Sequence, residues 1–502
     1  MTLLEWVGVA HTSAAVALAL YAAHQAVMLV LYWRTTKRRS APARPAWPQH
    51  DSLWPTVTIQ LPLFNERYLA QRVIAAAVAQ SYPHARLNIQ VLDDSTDDTV
   101  QIARDAVAVA RASGLSIDYL HRPNRNGYKA GALHNGLAVC DSELIAIFDA
   151  DFVPDPDFLR RVIARWLALD GAASRIGFVQ TRWDYLNRDE SIVTRGQALA
   201  LDVHFVVEQL ARNRHGLPMA FNGSGGIWRR DCIGDAGGWQ IDTLTEDLDL
   251  SYRAHLRGWR GHYFEDEGAP GDLPRDVLSY KRQQARWSRG TIQTVRKLAS
   301  RLWRSDWPLT RKLAGWMHLT GYFIHPLMLL MTLTTPLLVL HAFLTPAGAV
   351  SSWINATSIL SLAPMLSMLV AAAARGRTIG SFVRDLPCAL LLGVGVSLSN
   401  TLSMARGLLS RESGEFARTP KTLGATAQRY RLRPDGTLWL EIALAVYSGC
   451  AMILLWALDA RLGNQMASGP LLLYALSFGG MAASQIHALL IRDRSIHGTY
   501  SA

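Results

Sequence analysis

Leu144-Ile-Ala-Ile-Phe-Asp-Ala-Asp151 is a run of five apolar residues, too short for a buried helix, that ends in two carboxylates one residue apart. A continuous apolar run of this length bounded by polar residues is a strand buried on both faces, the kind found in parallel sheets. Asn88-Ile-Gln-Val-Leu92 is a second strand candidate and runs into Asp93 and Asp94 in the same way. Further strands are predicted at Val57–Leu61, Ile117–Leu120 and Gly177–Gln180, with helix-length stretches at Tyr68–Gln80 and Val100–Ser113 between several of them. Strand and helix in alternation predict a mostly parallel α/β sheet from 56 to about 287. Such sheets bind ligands beyond the carboxyl ends of their strands, which is where these acids fall.

Outside that region the chain is of a different character. Half its residues are hydrophobic and 18% are charged, a balance that suits a catalytic unit joined to a bilayer unit. Val7–Trp33 holds no charge and is followed by Arg34, Lys37, Arg38 and Arg39, which predicts a first span with its basic flank inside (1–40) and a Pro-rich linker over 41–55. Further spans are expected at 315–343, 351–374, 438–459 and 469–491. The segment 386–407, with Ser397, Ser399, Asn400, Ser403 and Arg406, is expected to be interfacial or re-entrant, because a full crossing would carry the basic loop 410–434 to the wrong side. That leaves five spans in three stretches: 1–40, 314–409 and 435–502. An amphipathic basic stretch, 288–313, is expected in the membrane interface.

The net charge of +11 is concentrated beside apolar segments, with Arg296, Lys297, Arg301, Arg304, Arg311 and Lys312 forming the second cluster. That placement favours anionic headgroups over nucleic acid, for which no zinc-finger or RNA-recognition spacing is present. Four scattered cysteines without a C-x-x-C argue against a zinc or disulfide framework.

Four motifs carry the chemistry. Asp149 and Asp151 suit Mg²⁺ or Mn²⁺, cations that take oxygen ligands and share them with a diphosphate; the same two acids could instead cap a helix. Asp93 and Asp94 could accept hydrogen bonds from a nucleoside, or cap the helix at Thr99. Thr245-Glu246-Asp247 offers a carboxylate general base, or a helix start. Gln283-Gln-Ala-Arg286-Trp287 supplies a guanidinium for phosphate and an indole for a sugar ring, or an interfacial Trp with a snorkelling Arg. The turn-rich loop Asn124–Gly131, with Lys129, opens a helix where phosphate could dock.

In this order the motifs resemble the processive family 2 glycosyltransferases, the group of cellulose, hyaluronan and mannan synthases. Pro62-Leu-Phe-Asn-Glu66, Val91–Asp97, Asn124–Leu133, Phe148–Phe152 and Phe221-Asn-Gly-Ser-Gly-Gly226 are most similar to the cellulose-synthase-like A enzymes that make β-1,4-mannan or glucomannan. The resemblance implies a GT-A catalytic domain on the cytoplasmic side, inserted in an α-helical transmembrane domain. It implies Asp94 at the nucleoside, Asp149 and Asp151 at the metal and diphosphate, and Lys129 and Arg286 near the phosphates. Asp247 becomes the base with Glu246 beside it, and Trp287, Gln283, Phe221, Asn222 and Gly223 meet the acceptor. Phe416-Ala-Arg418-Thr419-Pro-Lys421 is similar to a gating loop (410–434) that brings Thr419 and Lys421 to the donor, with Arg418 where Val is usual. The implied partners are a GDP-mannose or UDP-glucose donor, a polysaccharide or glycolipid acceptor and the lipid bilayer. The implied activity is inverting, metal-dependent polymerisation with export through the chain's own helices, in a bacterial inner or plasma membrane. The alternatives are a single transfer to a lipid acceptor and, from another class, a transporter with a regulatory domain, against which intramembrane charge is too sparse.

Overall fold

The computed structural model describes residues 2–37, 47–169, 175–344, 362–410, 414, 435–462 and 468–497. Seven strands form one sheet: β1 (Val57–Leu63), β2 (Leu87–Asp93), β3 (Ile117–His121), β4 (Leu144–Ile147), β5 (Ile176–Tyr185), β6 (Gly226–Arg229) and β7 (Arg260–Gly271). Their order is β3-β2-β1-β4-β6-β5-β7. β1 pairs in parallel with β2 and β4, and β2 with β3. β6 runs antiparallel between β4 and β5, and β5 pairs in parallel with β7. This is the mixed, mostly parallel sheet of a GT-A-like fold.

The core lies on both sheet faces. One side packs Val57, Ile59, Leu61 and Val91 against α2 (Ala70–Val78), α3 (Thr99–Ala112) and α5 (Phe158–Leu169). The other packs Ile145, Ile147, Phe178 and Trp228 against α4 (Tyr128–Ala138) and α9 (Glu246–Leu256). Two polar strand residues inside the core pair with each other, Gln60 Nε2 donating to Gln90 Oε1 at 2.9 Å.

Past β5, α6 (Ile192–Asp202) passes into a π-helical turn, Val203–Glu208, and then into α7 (Gln209–Arg214). β6 is followed by α8 (Arg230–Asp235), and β7 leads to α10 (Val277–Arg304). The Asp276 side chain caps α10 by accepting from the Ser279 N–H, so the helix starts well before the Gln283–Trp287 motif. The expected boundary at 287/288 therefore falls inside one unbroken helix. α11 (Leu309–Leu319) follows.

The apolar part comprises α1 (Leu3–Lys37), α12 (Ile324–Leu344), α13 (Leu362–Ala374), α14 (Ile379–Gly395), α15 (Ser397–Leu409), α16 (Leu438–Leu462) and α17 (Ser468–His497). Among the described residues four stretches are long and apolar enough to cross a membrane: Leu3–Lys37, Gly321–His341, Ile379–Leu409 and Leu438–Ala457. The third contains the segment expected to be interfacial, and it breaks into α14 and α15 at Val396. It is 67% buried in protein, against 17 to 28% for the other three, so it has far less surface to offer lipid.

Two of the basic residues expected at headgroups are engaged by protein instead. Arg296 Nη1 donates to the carbonyls of Gly407, Leu408 and Ser410, closing the C-terminus of α15. Lys297 Nζ reaches Asp242 at 2.7 Å and Asp249 at 3.0 Å. α10 is also tied to α16 and α17 by a buried ion cluster. Lys281 Nζ meets Glu441 and Asp435, and Gln485 Nε2 donates to Glu441 Oε2 at 2.8 Å. Lys281, Glu441 and Gln485 are almost wholly inaccessible to water.

Candidate active site

The sheet order reverses between β1 and β4, and their carboxyl ends open a cleft of about 1280 Å³, part of it exposed to solvent. Asp94 stands just past β2 and Asp149 just past β4. α9 and α10 close the far wall with Glu246, Asp247, Gln283, Arg286 and Trp287.

Sequence neighbours at a strand end point to opposite faces, so Asp93 and Asp94 part company. Asp94 lines the cleft and forms a bidentate pair with Arg122. Asp93, expected at the nucleoside, is fully buried. Its Oδ1 accepts from the Ser95 N–H and its Oδ2 from the Tyr119 hydroxyl at 2.6 Å, so it braces the β2–β3 edge. Phe221, expected at the acceptor, is likewise in the core, ring to ring with Phe178 and Trp228. Its neighbours Asn222 and Gly223 do reach the cleft. Thr419 and Lys421 lie outside the described residues.

Lys129 is the electrostatic hub. Its Nζ lies 2.5 Å from Asp149 Oδ1 and 3.7 Å from Glu246 Oε1, and donates to the Gly223 carbonyl at 2.9 Å. Burial acts to lower its pKa, but Asp149 and Glu246 outweigh that and leave it raised, so the ammonium stays charged. Glu246 is raised by burial, with Lys129 acting in the opposite sense. Asp247 opens on the cleft but sits deep, and burial together with the Glu246 charge pushes it up to about 7. A carboxylate that gives up its proton near neutrality is matched to general-base work. Arg286 is lowered by burial against the pull of Asp149, Glu246 and Asp247, from so high a value that it remains a cation.

Gly223 is required where it stands. Its φ is +81°, and a Cβ there would come 2.9 Å from Asp247 Oδ2 and 3.3 Å from Lys129 Nζ. The backbone thus passes directly beside the Asp247 carboxylate and the Lys129 ammonium.

Among the described residues no three His, Cys, Asp or Glu side chains gather as a metal cage. Asp149 and Asp151 both face the cleft, and a cation, Lys129, already binds Asp149. Two carboxylates with open space beside them fit Mg²⁺ or Mn²⁺, which bind through one or two protein carboxylates plus substrate phosphate.

The cleft also contains groups that no motif announced. Trp183, Asp184 and Tyr185 come from the end of β5, and Asp272 and Leu273 from just past β7. Asp184 is held by Arg182 and Arg375, and Asp272 by Arg72, whose Nη2 also donates to the Asp151 carbonyl. Arg125, from the Asn124–Gly131 loop, lies 3.4 Å above the Phe64 ring centre.

Residues 55–290 match the family model described as Glycosyltransferase like family 2. Glucomannan 4-beta-mannosyltransferase 2 of Arabidopsis thaliana is 42% identical over 289 residues, 56% of this chain and 53% of the relative. Glucomannan 4-beta-mannosyltransferase 1 of Oryza sativa subsp. japonica is 43% identical over 258 residues, 51% of this chain and 49% of the relative. The chain spans about half the length of the curated relatives it matches. Both are plant proteins and give no support to the expected bacterial placement. The mannosyltransferase PcManGT from Pyrobaculum calidifontis, solved in complex with GDP-Man and Mn²⁺, superposes with a TM-score of 0.51 at 20% identity. That match covers 80% of this chain and 99% of the other, and is a likeness of fold.

Proposed function

We propose, from the premise that residues 55–290 are a domain of the glycosyltransferase like family 2, that this chain is a membrane-embedded inverting hexosyltransferase. In this reading it takes hexose from GDP-mannose, or from UDP-glucose, and extends a β-linked polysaccharide that leaves through its own helices. The observation that carries the reading is that Lys129, Asp149, Asp151, Glu246, Asp247, Arg286 and Trp287, widely separated in sequence, line one cleft at the carboxyl edge of the sheet.

Each group has a role its chemistry suits. Asp247 takes the proton of the acceptor hydroxyl as that oxygen attacks the anomeric carbon from the face opposite the diphosphate. Lys129 and Arg286 hold the phosphate oxygens as negative charge builds on the leaving group. Asp149 and Asp151 would hold Mg²⁺ or Mn²⁺, which when bound supplies further charge neutralisation at the diphosphate. Trp287 gives the acceptor ring a flat apolar floor. Asp94, already paired with Arg122, keeps lone pairs for the nucleoside. The buried α14–α15 segment serves as a re-entrant wall against α10 rather than a crossing.

The test is incubation of the purified protein in nanodiscs with radiolabelled GDP-mannose or UDP-glucose and Mn²⁺, followed by sizing and β-mannanase digestion of the product. A long, digestible polymer from GDP-mannose is expected. A single sugar on lipid would overturn processivity, and no turnover of either donor would overturn the reading altogether.

A further inference from the structure

The amide of Asn222 lies in the cleft wall between two side chains of the π-helical turn and its continuation, and their hydrogen bonds can be read in only one sense. Gln209 Nε2 donates to the Ala220 carbonyl at 2.8 Å, which fixes which end of that amide is nitrogen. The same Nε2 donates to Asn222 Oδ1 at 2.6 Å, so Asn222 presents its oxygen to Gln209. Its Nδ2 then faces His204 Nε2 at 3.0 Å, and because an amide nitrogen only donates, His204 Nε2 must accept. The ring proton is thereby assigned to Nδ1, which faces Glu208 Oε2 at 3.3 Å.

The far end is anchored as firmly. Burial acts to raise the Glu208 carboxyl, but Arg212 outweighs it and holds it well below the usual carboxylate range, so it remains an acceptor. Arg212 is fully buried and donates to Glu208, to the Pro218 and Ala314 carbonyls and toward His24 of α1. The turn Val203–Glu208 thus carries His204 against Asn222 at one end and Glu208 against Arg212 at the other.

We infer that His204 is a positioning residue for glycosyl transfer: with Gln209 it locks the Asn222 amide so that its second N–H and second lone pair face the cleft, where an acceptor sugar hydroxyl can both donate and accept. The inference rests on the glycosyltransferase reading above. It implies that His204 contributes nothing except through Asn222.

A double-mutant cycle separates this from a general structural role. Elongation from GDP-mannose, with UDP-glucose as a parallel arm, is measured for the full chain in nanodiscs as wild type, Asn222→Ala, His204→Ala and both together. About a tenfold loss is expected for each single variant, the double variant falling within twofold of Asn222→Ala. His204→Gln, whose amide oxygen can still accept from Nδ2, is expected to recover at least a third of the wild-type rate and guards against misfolding of the alanine variant. Additive losses, full activity of His204→Ala, or no recovery by a folded Gln variant each overturn the inference. A wild type inert toward both donors overturns the functional reading, and the inference with it.

Discussion

Replacing Asp247 by Asn changes one atom and separates what this carboxylate does for the reaction from what it costs the fold. In the folded chain the carboxyl is raised from 3.8 to about 7, first by burial and then by Glu246. For an acid raised on folding, the native state holds the proton more tightly than the unfolded chain does. Stability from this group is therefore complete below about pH 3.8 and is lost as pH climbs through about 7. A shift of that size is worth about 4 kcal/mol at full weight, and screening of a side chain that opens on the cleft reduces it to roughly 2–3 kcal/mol. Asn does not titrate, so Asp247→Asn is expected to melt about 4–10 °C higher than wild type at pH 8 in metal-free buffer, with the gap shrinking to about a quarter of that at pH 4.5. Turnover is expected to move the other way. Loss of a general base costs about 10²- to 10⁴-fold in kcat, with nucleotide affinity by calorimetry little changed because the proton moves only in the transition state. The wild-type rate should rise with pH through about 7 as the carboxyl ionises. A variant that keeps its rate within threefold, or that melts lower than wild type at pH 8, refutes the assignment.

Trp287→Ala removes the apolar floor and is expected to cut elongation roughly three- to tenfold while donor hydrolysis persists; equal loss of both would return Trp287 to an interfacial role. Gly223→Ala introduces a methyl 2.9 Å from Asp247 Oδ2 at a φ of +81°, so kcat should drop at least tenfold with a fold loss of only about 1–2 kcal/mol. Lys281→Met leaves Glu441 buried without its cation and is expected to destabilise by about 3–5 kcal/mol, with Lys281→Met/Glu441→Leu recovering most of it in the same melts. Chelation with EDTA should stop turnover, and Mn²⁺ should restore it; activity that survives chelation contradicts the proposed use of Asp149 and Asp151.

Strands buried on both faces are legible in the sequence, because a short unbroken apolar run between polar residues has little else it can become. β4 is visible in this way, and β1, β2, β3 and β5 as short β-rich runs that contain a Thr, Gln or Asp, together with the acids that follow β2 and β4. β6 escapes because four residues, Gly226-Ile-Trp-Arg229, carry no period, and β7 because Glu265-Asp-Glu267 and Pro270 interrupt it. With those two strands go the cleft residues beside them, Asp184 and Tyr185 on β5 and Asp272 past β7. Residue type also does not tell which of two adjacent residues turns inward: Asp94 reaches the cleft and Asp93 the core, Asn222 the cleft and Phe221 the core. For Asp93 and Asp94 that choice is set by the phase of the backbone at the strand end. The same blindness applies to Arg296 and Lys297, whose charge suggests lipid headgroups but whose reach finds the carbonyls ending α15 and the acids Asp242 and Asp249.

Sugar transfer as proposed depends on a single cation–diphosphate site shared by the acids after β4 and the basic groups of α4 and α10. The most direct measurement is a structure of the protein soaked with Mn²⁺ and GDP, with the metal located by its anomalous scattering. One manganese peak is predicted, bounded by Asp149, Asp151 and the diphosphate, with Lys129 and Arg286 on the phosphate oxygens. A peak elsewhere, or a nucleotide bound away from this cleft, contradicts the proposed chemistry.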